Sequence, residues 1–410
     1  MRREVTPEEL TQPLLPPPEA VARVLAALEP LAARAIPLIE CAGLVLAEDV
    51  VADRDVPSFA NSAMDGYAVR AADVEGASAE RPVVLAVTGE IPAGAAGETP
   101  VAPGTAARIM TGAPVPPGAD AVVPWEDTDA GADGDSVAVR VPAPAGRHIR
   151  PAGEDLRSGT RVVVAGSRLR PPHLAVLALL GRTEAVVVPR PRVAILSTGD
   201  ELVPPGGDLG AGQVHDANGT LLTALCAQSG AEVIASEIVG DDPGKIEAWF
   251  AWNAERADLL VTSGGASVGE HDWVRDVLSR AGRVDLWKVA MRPGKPVLFG
   301  RVHGTAVLGL PGNPGSVLAC THVFVAPALR RLAGRTPAPR TVPGVLTAPV
   351  AGDPVRTFYC PVTLDGHEAA PVPSRSSQAL SHAFEADGFA VIPPGGLPEG
   401  ADVTVELFGD

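Results

Sequence analysis

The pattern of apolar and polar residues changes along the chain, and each pattern predicts a different kind of structure. Residues 19–31 place their apolar side chains on one helical face, which predicts an amphipathic helix. From about 51 to 147, short β-prone runs alternate with turns rich in glycine and proline, which predicts a β-rich lobe. The chain then returns to one predicted strand at 161–165 and one predicted helix at 172–180.

Strand and helix patterns alternate from about residue 190 onward. Apolar runs predict strands at 193–197, 231–238, 259–262 and 306–310. Helices are predicted at 218–228, 243–255, 273–280 and 316–332. Repeated βαβ units imply a doubly wound, mainly parallel α/β domain with helices on both faces of the sheet. Beyond a proline-rich joint at 337–343, short strands predict a C-terminal β-domain.

The composition is that of a globular protein, with 46% hydrophobic and 20% charged residues. At 410 residues the chain is too long for one ordinary core and is expected to form several domains. The net charge is −16, from 33 basic and 49 acidic side chains. This balance argues against non-specific binding to nucleic acid or an anionic membrane. An anionic substrate would therefore need a local basic patch.

The four cysteines, Cys41, Cys226, Cys320 and Cys360, lie far apart and form no Cys-x-x-Cys pair. This spacing is typical of buried thiols in a reducing cytoplasm, and not of a disulfide framework or a zinc site. The first ten residues lack an apolar signal region, and the longest apolar run, 174–180, is too short to span a bilayer. We therefore expect a soluble, cytoplasmic protein without nucleic-acid or membrane partners.

Three glycine-containing loops, at 263–272, 292–296 and 310–316, have the composition of anion-binding loops. Glycine lets backbone N–H groups converge on an anion. The first and third loops, like 197–202, follow predicted strands, so they are expected at one rim of the sheet. One such loop would indicate only a tight turn, but three favour a phosphate or oxyanion site. The candidate substrate-binding residues in these loops are Ser263, Gly264, Gly265, Ser267, Arg292, Lys295, Pro311, Gly312, Asn313 and Ser316.

Lysine is rare in this chain, which has three lysines and thirty arginines. Two of the three, Lys288 and Lys295, lie in or beside the loop at 292–296. An ammonium is a compact point charge, and a planar guanidinium does not replace it in a tight oxyanion site. Lys288 is therefore a further candidate for substrate binding, with chance placement as the alternative explanation.

Acidic residues occur in pairs on or near the predicted rim: Asp200 and Glu201, Asp241 and Asp242, Glu270 and Asp272. Carboxylates beside a bound anion repel it unless a cation lies between them. Mg²⁺ fits this role, because it binds through one or two carboxylates plus substrate phosphates. Glu201 and Asp272 are therefore the candidate metal ligands. Asp241 and Asp242 also suit the N-cap of the next helix, and that alternative stays open.

Two strings in the β-rich lobe carry polar groups at turns, Asn-Ser-Ala-Met-Asp-Gly-Tyr-Ala at 61–68 and Arg-Ile-Met-Thr-Gly-Ala at 108–113. By chemistry alone, each indicates no more than an Asx-type turn or a strand end.

Eight strings in one order are much more specific than any one of them: NSAMDGYAVR (61–70), RIMTGAPVP (108–116), Gly-Glu-Asp (153–155), STGDEL (197–202), Gln-x-x-Asp-x-Asn (213–218), 263–272, 292–296 and 310–316. This order resembles the molybdopterin molybdenumtransferases, a family that includes the C-terminal domain of gephyrin. The resemblance extends over essentially the whole chain.

The resemblance implies a chain of four parts and a homodimer. The parts are a helix/strand linker domain (1–50 and 148–187), a β-rich lobe (51–147), a molybdopterin-binding α/β domain (188–335) and a C-terminal β-domain (340–410). The active site is implied to lie between the α/β domain of one subunit and the β-rich lobe of the other. A transient contact with molybdopterin adenylyltransferase is left open.

The implied activity is insertion of molybdenum from molybdate into the dithiolene of adenylylated molybdopterin, with AMP released in a Mg²⁺-dependent step. Arg356 and Ser377 match positions that help to hold the oxyanion. No covalent protein intermediate is implied, so catalysis would rest on positioning and charge neutralisation. Matched residue by residue, the catalytic positions of the family fall on Asp65, Thr111, Asp155, Asp241 and Asp272.

Five positions depart from the family pattern. Arg292 stands where many relatives have lysine, and Gly315 replaces a valine. Pro151, Ala152 and Cys360 stand where arginines often occur. The last three departures thin the basic cluster that the resemblance implies.

Two other functions remain open at this point. A molybdopterin adenylyltransferase would share the α/β fold and the Ser-Gly-Gly loop, but the β-rich lobe and the C-terminal domain argue against it. A non-catalytic scaffold that binds cofactor precursors or peptides is the second. The acid set of Asp65, Glu201 and Asp272 favours catalysis over that function.

Overall fold

The computed structural model describes residues 14–98, 100–131, 134–265, 273–372 and 380–409. Three predicted site residues, Ser267, Asp272 and Ser377, lie outside these described residues. The chain divides into two compact units. Within the described residues, unit 1 comprises 14–36, 43–47 and 186–409, and unit 2 comprises 37–42 and 48–185.

The described α-helices are α1 Pro17–Ala26, α2 Ala71–Val74, α3 Pro171–Leu179, α4 Ala217–Gln228, α5 Pro243–Ala254, α6 Trp273–Ala281, α7 Pro314–Cys320 and α8 Ala326–Leu332. A π-helical segment, Thr321–Val325, joins α7 to α8. The 3-10 turns are Leu38–Glu40, Trp125–Asp127 and Ser381–Ala383. No helix in the described ranges is both long enough and apolar enough to cross a membrane.

The described strands are β1 Arg34–Pro37, β2 Val45–Leu46, β3 Val50–Val51, β4 Asn61–Ser62, β5 Gly66–Val69, β6 Val83–Ile91, β7 Thr105–Ile109, β8 Ala121–Pro124, β9 Ser136–Val139, β10 Ile149–Arg150, β11 Arg161–Val163, β12 Glu184–Val188, β13 Arg192–Thr198, β14 Leu202–Val203, β15 Val214–His215, β16 Glu232–Val239, β17 Leu259–Ser263, β18 Gly282–Trp287, β19 Met291–Arg292, β20 Leu298–Val302, β21 Thr305–Leu310, β22 Thr341–Leu346, β23 Val350–Ala351, β24 Thr357–Asp365, β25 Glu368–Pro371, β26 Gly388–Ile392, β27 Gly396–Leu397 and β28 Asp402–Leu407.

Unit 2 is built on a five-stranded sheet with the order β8-β5-β7-β6-β9. The strands β5, β7 and β8 are largely buried on both faces, since side chains that alternate along each of them enter two different cores. Val69 and Ala106 pack into one apolar cluster, whereas Ala68 and Ala107 pack into the other. The predicted β-rich structure is therefore observed. The short antiparallel pair β3–β11 and helix α3 also belong to unit 2.

The α/β part of unit 1 has a six-stranded sheet with the order β16-β13-β17-β21-β20-β18. The first four strands are parallel, and β20 and β18 extend the sheet in antiparallel fashion. Along β13, Val193 and Ile195 face the core beneath α4, α7 and α8, whereas Ala194 and Leu196 face the core beneath α5 and α6. Full burial of an Ile or Leu side chain contributes about 1.5–3 kcal/mol. This two-faced burial confirms the doubly wound, mainly parallel fold.

Two local predictions differ from the structure. The helix predicted at 19–31 ends at Ala26, because Pro30 has no N–H to bond the carbonyl four residues earlier, that of Ala26, and its ring clashes with that carbonyl. The helix predicted at 316–332 is interrupted by the π-helical segment Thr321–Val325. The antiparallel strands β18 and β20 were not predicted from the sequence. They flank the loop at 292–296, and no helix pattern lies between them to indicate a βαβ unit.

The C-terminal part forms a small closed sheet. Strands pair in the ring β24-β25-β22-β28-β26, and β26 returns to β24. Its interior holds apolar side chains such as Val362, Ala390 and Val405. Strand β19, from the loop region of the α/β part, adds in parallel to the free edge of β24, so that Arg292 lies opposite Phe358. The division into four domains with the boundaries given above stays a prediction.

Candidate functional site

Three strand ends of the α/β sheet meet at one rim. The Asn218 amide, in the first turn of α4, donates hydrogen bonds to the Ser263 hydroxyl (2.8 Å) and to the Gly312 carbonyl (2.7 Å). The Gly264 N–H donates to the Leu310 carbonyl at 3.1 Å. One amide therefore ties the loop after β17 to the loop after β21. The prediction that these loops share a rim is confirmed for their described residues.

Gly264 joins this pair of loops to the end of β13. Its φ of 90° lies in the left-handed region, and a Cβ added there would lie 2.7 Å from the Thr198 carbonyl oxygen. No side chain fits that gap, so the position requires glycine. The substrate-binding role of Gly264 and Gly265 stays a prediction, and the Gly264 N–H itself is already bonded to the Leu310 carbonyl.

Hydroxyl and amide groups are buried along this rim. Ser197, Ser263 and Ser316 are 1%, 2% and 4% exposed. Among the described residues, Ser197 Oγ, Thr198 Oγ1 and Asn218 Oδ1 have no hydrogen-bond partner. A buried polar group without a partner costs about 1–3 kcal/mol. These atoms are thus candidates for contact with a polar ligand.

Acidic side chains follow the ends of β13 and β16. The Asp241 N–H donates to Asp200 Oδ1 at 3.0 Å, which holds the two loops together. Asp242 caps α5 by accepting hydrogen bonds from the N–H groups of Gly244 (2.8 Å) and Lys245 (3.1 Å), so its predicted capping role is confirmed. Glu201 is exposed beside them.

These carboxylates meet the chemical requirement for Mg²⁺ only in part. Glu201 supplies an exposed carboxylate at the rim, and one or two carboxylates suffice when substrate phosphates complete the shell. Within the ranges that the structure describes, no group of three His, Cys, Asp or Glu side chains is arranged to hold a metal ion. Asp272, the other predicted ligand, lies outside those ranges.

The loop at 288–297 is closed at its base and carries three cations. The Lys288 N–H donates to the Val297 carbonyl (3.0 Å), and the Val289 N–H donates to the Lys295 carbonyl (2.9 Å). Lys288 has a left-handed φ of 69°, which is uncommon outside glycine, and its Nζ lies 4.0 Å from the centre of the Trp287 ring. The side chains of Arg292 and Lys295 are exposed.

Arg356, a predicted oxyanion contact, is held by a neighbouring carboxylate. Its Nε and Nη2 donate to Asp353 Oδ2 at 2.9 and 2.5 Å. Asp353 also accepts from the N–H groups of Val355 and Arg356. The Arg356 guanidinium holds the pKa of Asp353 well below its usual range, so the carboxylate stays ionised and offsets the charge of Arg356.

Unit 2 brings together two residues predicted to be catalytic. Asp65 Oδ1 accepts hydrogen bonds from the Thr111 N–H (2.7 Å) and the Thr111 hydroxyl (2.8 Å). These bonds, the backbone one first, lower the pKa of Asp65. The Gly112 N–H donates to the Ser62 carbonyl at 2.8 Å, which joins the two loops. Asp155 is exposed on a loop of the same unit, where its N–H donates to the Val56 carbonyl.

Sequence reasoning missed three residues that shape these sites. Asn218 belongs to a quoted motif, and its position after a strand–helix junction was the available signal. Phe358 and Asp353 gave no signal, because an aromatic residue in a strand and an acid in a turn are ordinary features.

Comparisons with known proteins assign these features to one class, a MoeA-type molybdopterin-binding protein. Three family models match in order: the MoeA N-terminal region (domain I and II) over 15–181, a probable molybdopterin binding domain over 194–331, and the MoeA C-terminal region (domain IV) over 343–408.

Similar proteins of known name and structure agree. Molybdopterin molybdenumtransferase 2 of Mycobacterium tuberculosis is 44% identical over 369 residues, covering 88% of this chain and 90% of that one. Molybdopterin molybdenumtransferase of Haemophilus influenzae is 40% identical over 298 residues, covering 73% and 72%. The molybdopterin biosynthesis moea protein from Pyrococcus horikosii superposes with a TM-score of 0.81 at 34% identity, covering 97% of this chain and 100% of that one. The chain belongs to the molybdopterin molybdenumtransferase family.

Proposed function

We propose that this chain is a transferase of molybdenum cofactor biosynthesis that inserts molybdenum from molybdate into adenylylated molybdopterin and releases AMP. The observation that carries the proposal is the rim at which Asn218 joins the end of β17 to the loop after β21, with buried hydroxyl and amide oxygens that have no partner among the described residues. Such a rim suits a large polar ligand, because its buried hydroxyl and amide groups can form hydrogen bonds with one.

Different loops would bind different parts of the substrates. Ser263, Gly264 and Gly265, with Pro311, Gly312, Asn313 and Ser316, would hold the pterin and its phosphates. Lys288, Arg292 and Lys295 would bind molybdate, with Arg356 and Ser377 as further contacts. These cations supply the local positive field that a chain of net charge −16 needs to hold a dianion.

Glu201 and Asp272 would hold Mg²⁺, which when bound supplies positive charge to the phosphate link that is cleaved. Next to Glu201, the Asp241 N–H bonds to Asp200 and joins the loops that follow β13 and β16. Catalysis then consists of positioning and charge neutralisation, without a covalent protein intermediate.

The active site is proposed to be shared in a homodimer. Asp65, Thr111 and Asp155 of one subunit would complete the rim of the other. The Asp65 carboxylate is oriented by Thr111, so it is ready to act on a substrate that the partner holds. The cytoplasm is the proposed location, and transient contact with molybdopterin adenylyltransferase would deliver the substrate.

The two alternatives are separated by what flanks the α/β domain and by turnover. Adenylyltransferase activity is disfavoured, because family models for the MoeA N- and C-terminal regions match on both sides of the molybdopterin-binding domain. A scaffold would bind the same precursor but leave it unchanged.

The experiment that tests the proposal follows AMP release from adenylylated molybdopterin with Mg²⁺, with and without molybdate. AMP that appears only with molybdate, together with metal-loaded cofactor, is the expected result. Tight binding of the precursor without AMP release would instead establish a scaffold.

A further inference from the structure

Arg292 lies with its guanidinium on an aromatic face supplied by the C-terminal sheet. The Cζ atom of Arg292 is 4.4 Å from the centre of the Phe358 ring. The two residues are directly opposite each other where β19 adds to β24, and the Thr357 N–H donates to the Ala290 carbonyl at 2.9 Å. Backbone pairing therefore fixes the distance between ring and cation.

Phe358 is itself held in place. Its half-buried ring packs against the apolar interior of the closed sheet, and its backbone pairs with Ile392 on the other side of β24. The ring can therefore orient a flexible arginine side chain, since the ring has little freedom of its own.

The contact leaves the hydrogen-bonding edge of Arg292 available. A guanidinium that covers a ring keeps its five N–H donors in its own plane, where two parallel donors match two oxygens of an oxyanion. Arg356 differs, because its fork is already engaged by Asp353. Among the described residues, Arg292 forms no hydrogen bond or ion pair with a carboxylate.

We propose that Phe358 is a positioning residue for oxyanion capture, which presents two N–H donors of Arg292 to molybdate. This inference rests on the proposed function, in which Arg292 contacts molybdate. It also gives a reason for arginine at this position, since a lysine ammonium has no planar donor pair to present.

The test measures molybdate binding to the purified protein by calorimetry and the KM for molybdate in the AMP-release assay. Phe358→Leu is expected to weaken molybdate binding about 3- to 30-fold, the range of a cation–π contact, with kcat changed less than twofold. Phe358→Tyr keeps the ring and is expected to retain wild-type binding, which separates positioning from damage to the fold. Trp252→Leu is the matched control and should leave molybdate binding unchanged. It removes a similar contact, in which the Arg256 Cζ lies 5.2 Å from the centre of the Trp252 ring near the C-terminal end of α5.

A double-mutant cycle with Arg292→Ala completes the test. If Phe358 acts through Arg292, Phe358→Leu should have little further effect once Arg292 is alanine, because the cation that the ring orients is then absent. Weaker binding in Arg292→Ala with unchanged binding in Phe358→Leu would overturn the positioning role and leave the proposed function intact. Unchanged binding in Arg292→Ala would overturn both the inference and the molybdate contact assigned to Arg292. Wild-type protein that binds molybdate but releases no AMP would overturn the proposed function alone.

Discussion

A single carboxylate oxygen of Asp65 accepts both hydrogen bonds from Thr111, although the two residues are 46 positions apart. Both bonds favour the ionised carboxylate, and this lowers its pKa. Because the folded pKa is below the unfolded one, the stabilisation is present above the unfolded pKa and is lost as pH falls through the folded pKa. At neutral pH, Asp65 is therefore ionised and fixed in direction.

Thr111→Val is expected to raise the pKa of Asp65 but to leave it below the ordinary value. The variant removes the hydroxyl donor and keeps the N–H donor, which is the larger cause of the shift. Carboxyl carbon chemical shifts, followed by NMR through an acid titration, measure the change. Asp129, whose pKa is lowered mainly by the Ala138 N–H, is the internal control and should not move. An unchanged pKa at Asp65 would show that the hydroxyl bond contributes nothing.

The four cysteines are buried thiols, and none of them forms a disulfide, as the sequence predicts. Burial raises the pKa of Cys226 to about 12 and of Cys360 to about 11, and it also raises that of Cys41 and Cys320. Since the thiolate is the reactive form, the folded protein at pH 8 should react slowly with a disulfide reagent at all four positions. Four thiols should then react once the protein is unfolded in denaturant. Fast reaction of any thiol in the folded state would contradict the burial described.

Residue types in the sequence single out acids, cations and glycines as candidates for the site, because each has a distinct chemistry. The contacts that orient them could not be selected in this way. Phe358 contacts Arg292 through a strand pairing 66 positions apart in the chain, and Asp353 binds Arg356 through a turn geometry. Such contacts depend on register and rotamer, which composition and spacing do not encode.

At the scale of elements, the parallel core was predictable because strands buried on both faces read as continuous apolar runs. All four predicted strands of the α/β domain occur within one or two residues of their predicted bounds. The antiparallel edge formed by β18 and β20 was not predictable, since β18 is largely exposed and alternates weakly. That edge matters, because the loop at 288–297 connects its two strands.

The turn at Gly294 holds the cationic loop against the α/β core. Its φ is 109°, and an added Cβ would lie 2.3 Å from the buried Cys320 sulfur. Gly294→Ala is therefore expected to lower stability and to weaken molybdate binding, because both backbone strain and a core clash displace Arg292 and Lys295. Thermal unfolding and molybdate calorimetry measure the two effects.

The control variant Gly304→Ala separates the cost of left-handed backbone strain from the effect of displacing Arg292 and Lys295. Gly304 has a φ of 88° with no atom near an added Cβ, so its substitution costs left-handed strain alone, about 1–2 kcal/mol. That variant should bind molybdate normally, whereas Gly294→Ala should lose more stability than it does. Equal losses, or normal molybdate binding in Gly294→Ala, would show that the loop tolerates the clash.

At the scale of the whole molecule, the two compact units carry different parts of the proposed machinery. Asp65 and Thr111 lie in unit 2, whereas the rim and the residues Arg292 and Lys295 lie in unit 1. The sequence order alone could not say which copies of these units work together. The family resemblance supplied the expectation of a shared site, and mixing of subunits can decide it.

Asp65→Ala disables only unit 2 and Arg292→Ala disables only unit 1, so each variant alone should be inactive in AMP release or nearly so. If sites are shared between subunits, a mixed dimer contains one site built from two intact units and one built from two defective units. Random exchange makes about half of the dimers mixed, so activity should recover to about a quarter of the wild-type value. Sites contained within one chain would give no recovery, because every chain in the mixture then carries a defect in its own site. Size-exclusion chromatography with light scattering, before and after exchange, confirms that dimers are present, and a wild-type control taken through the same exchange corrects for losses.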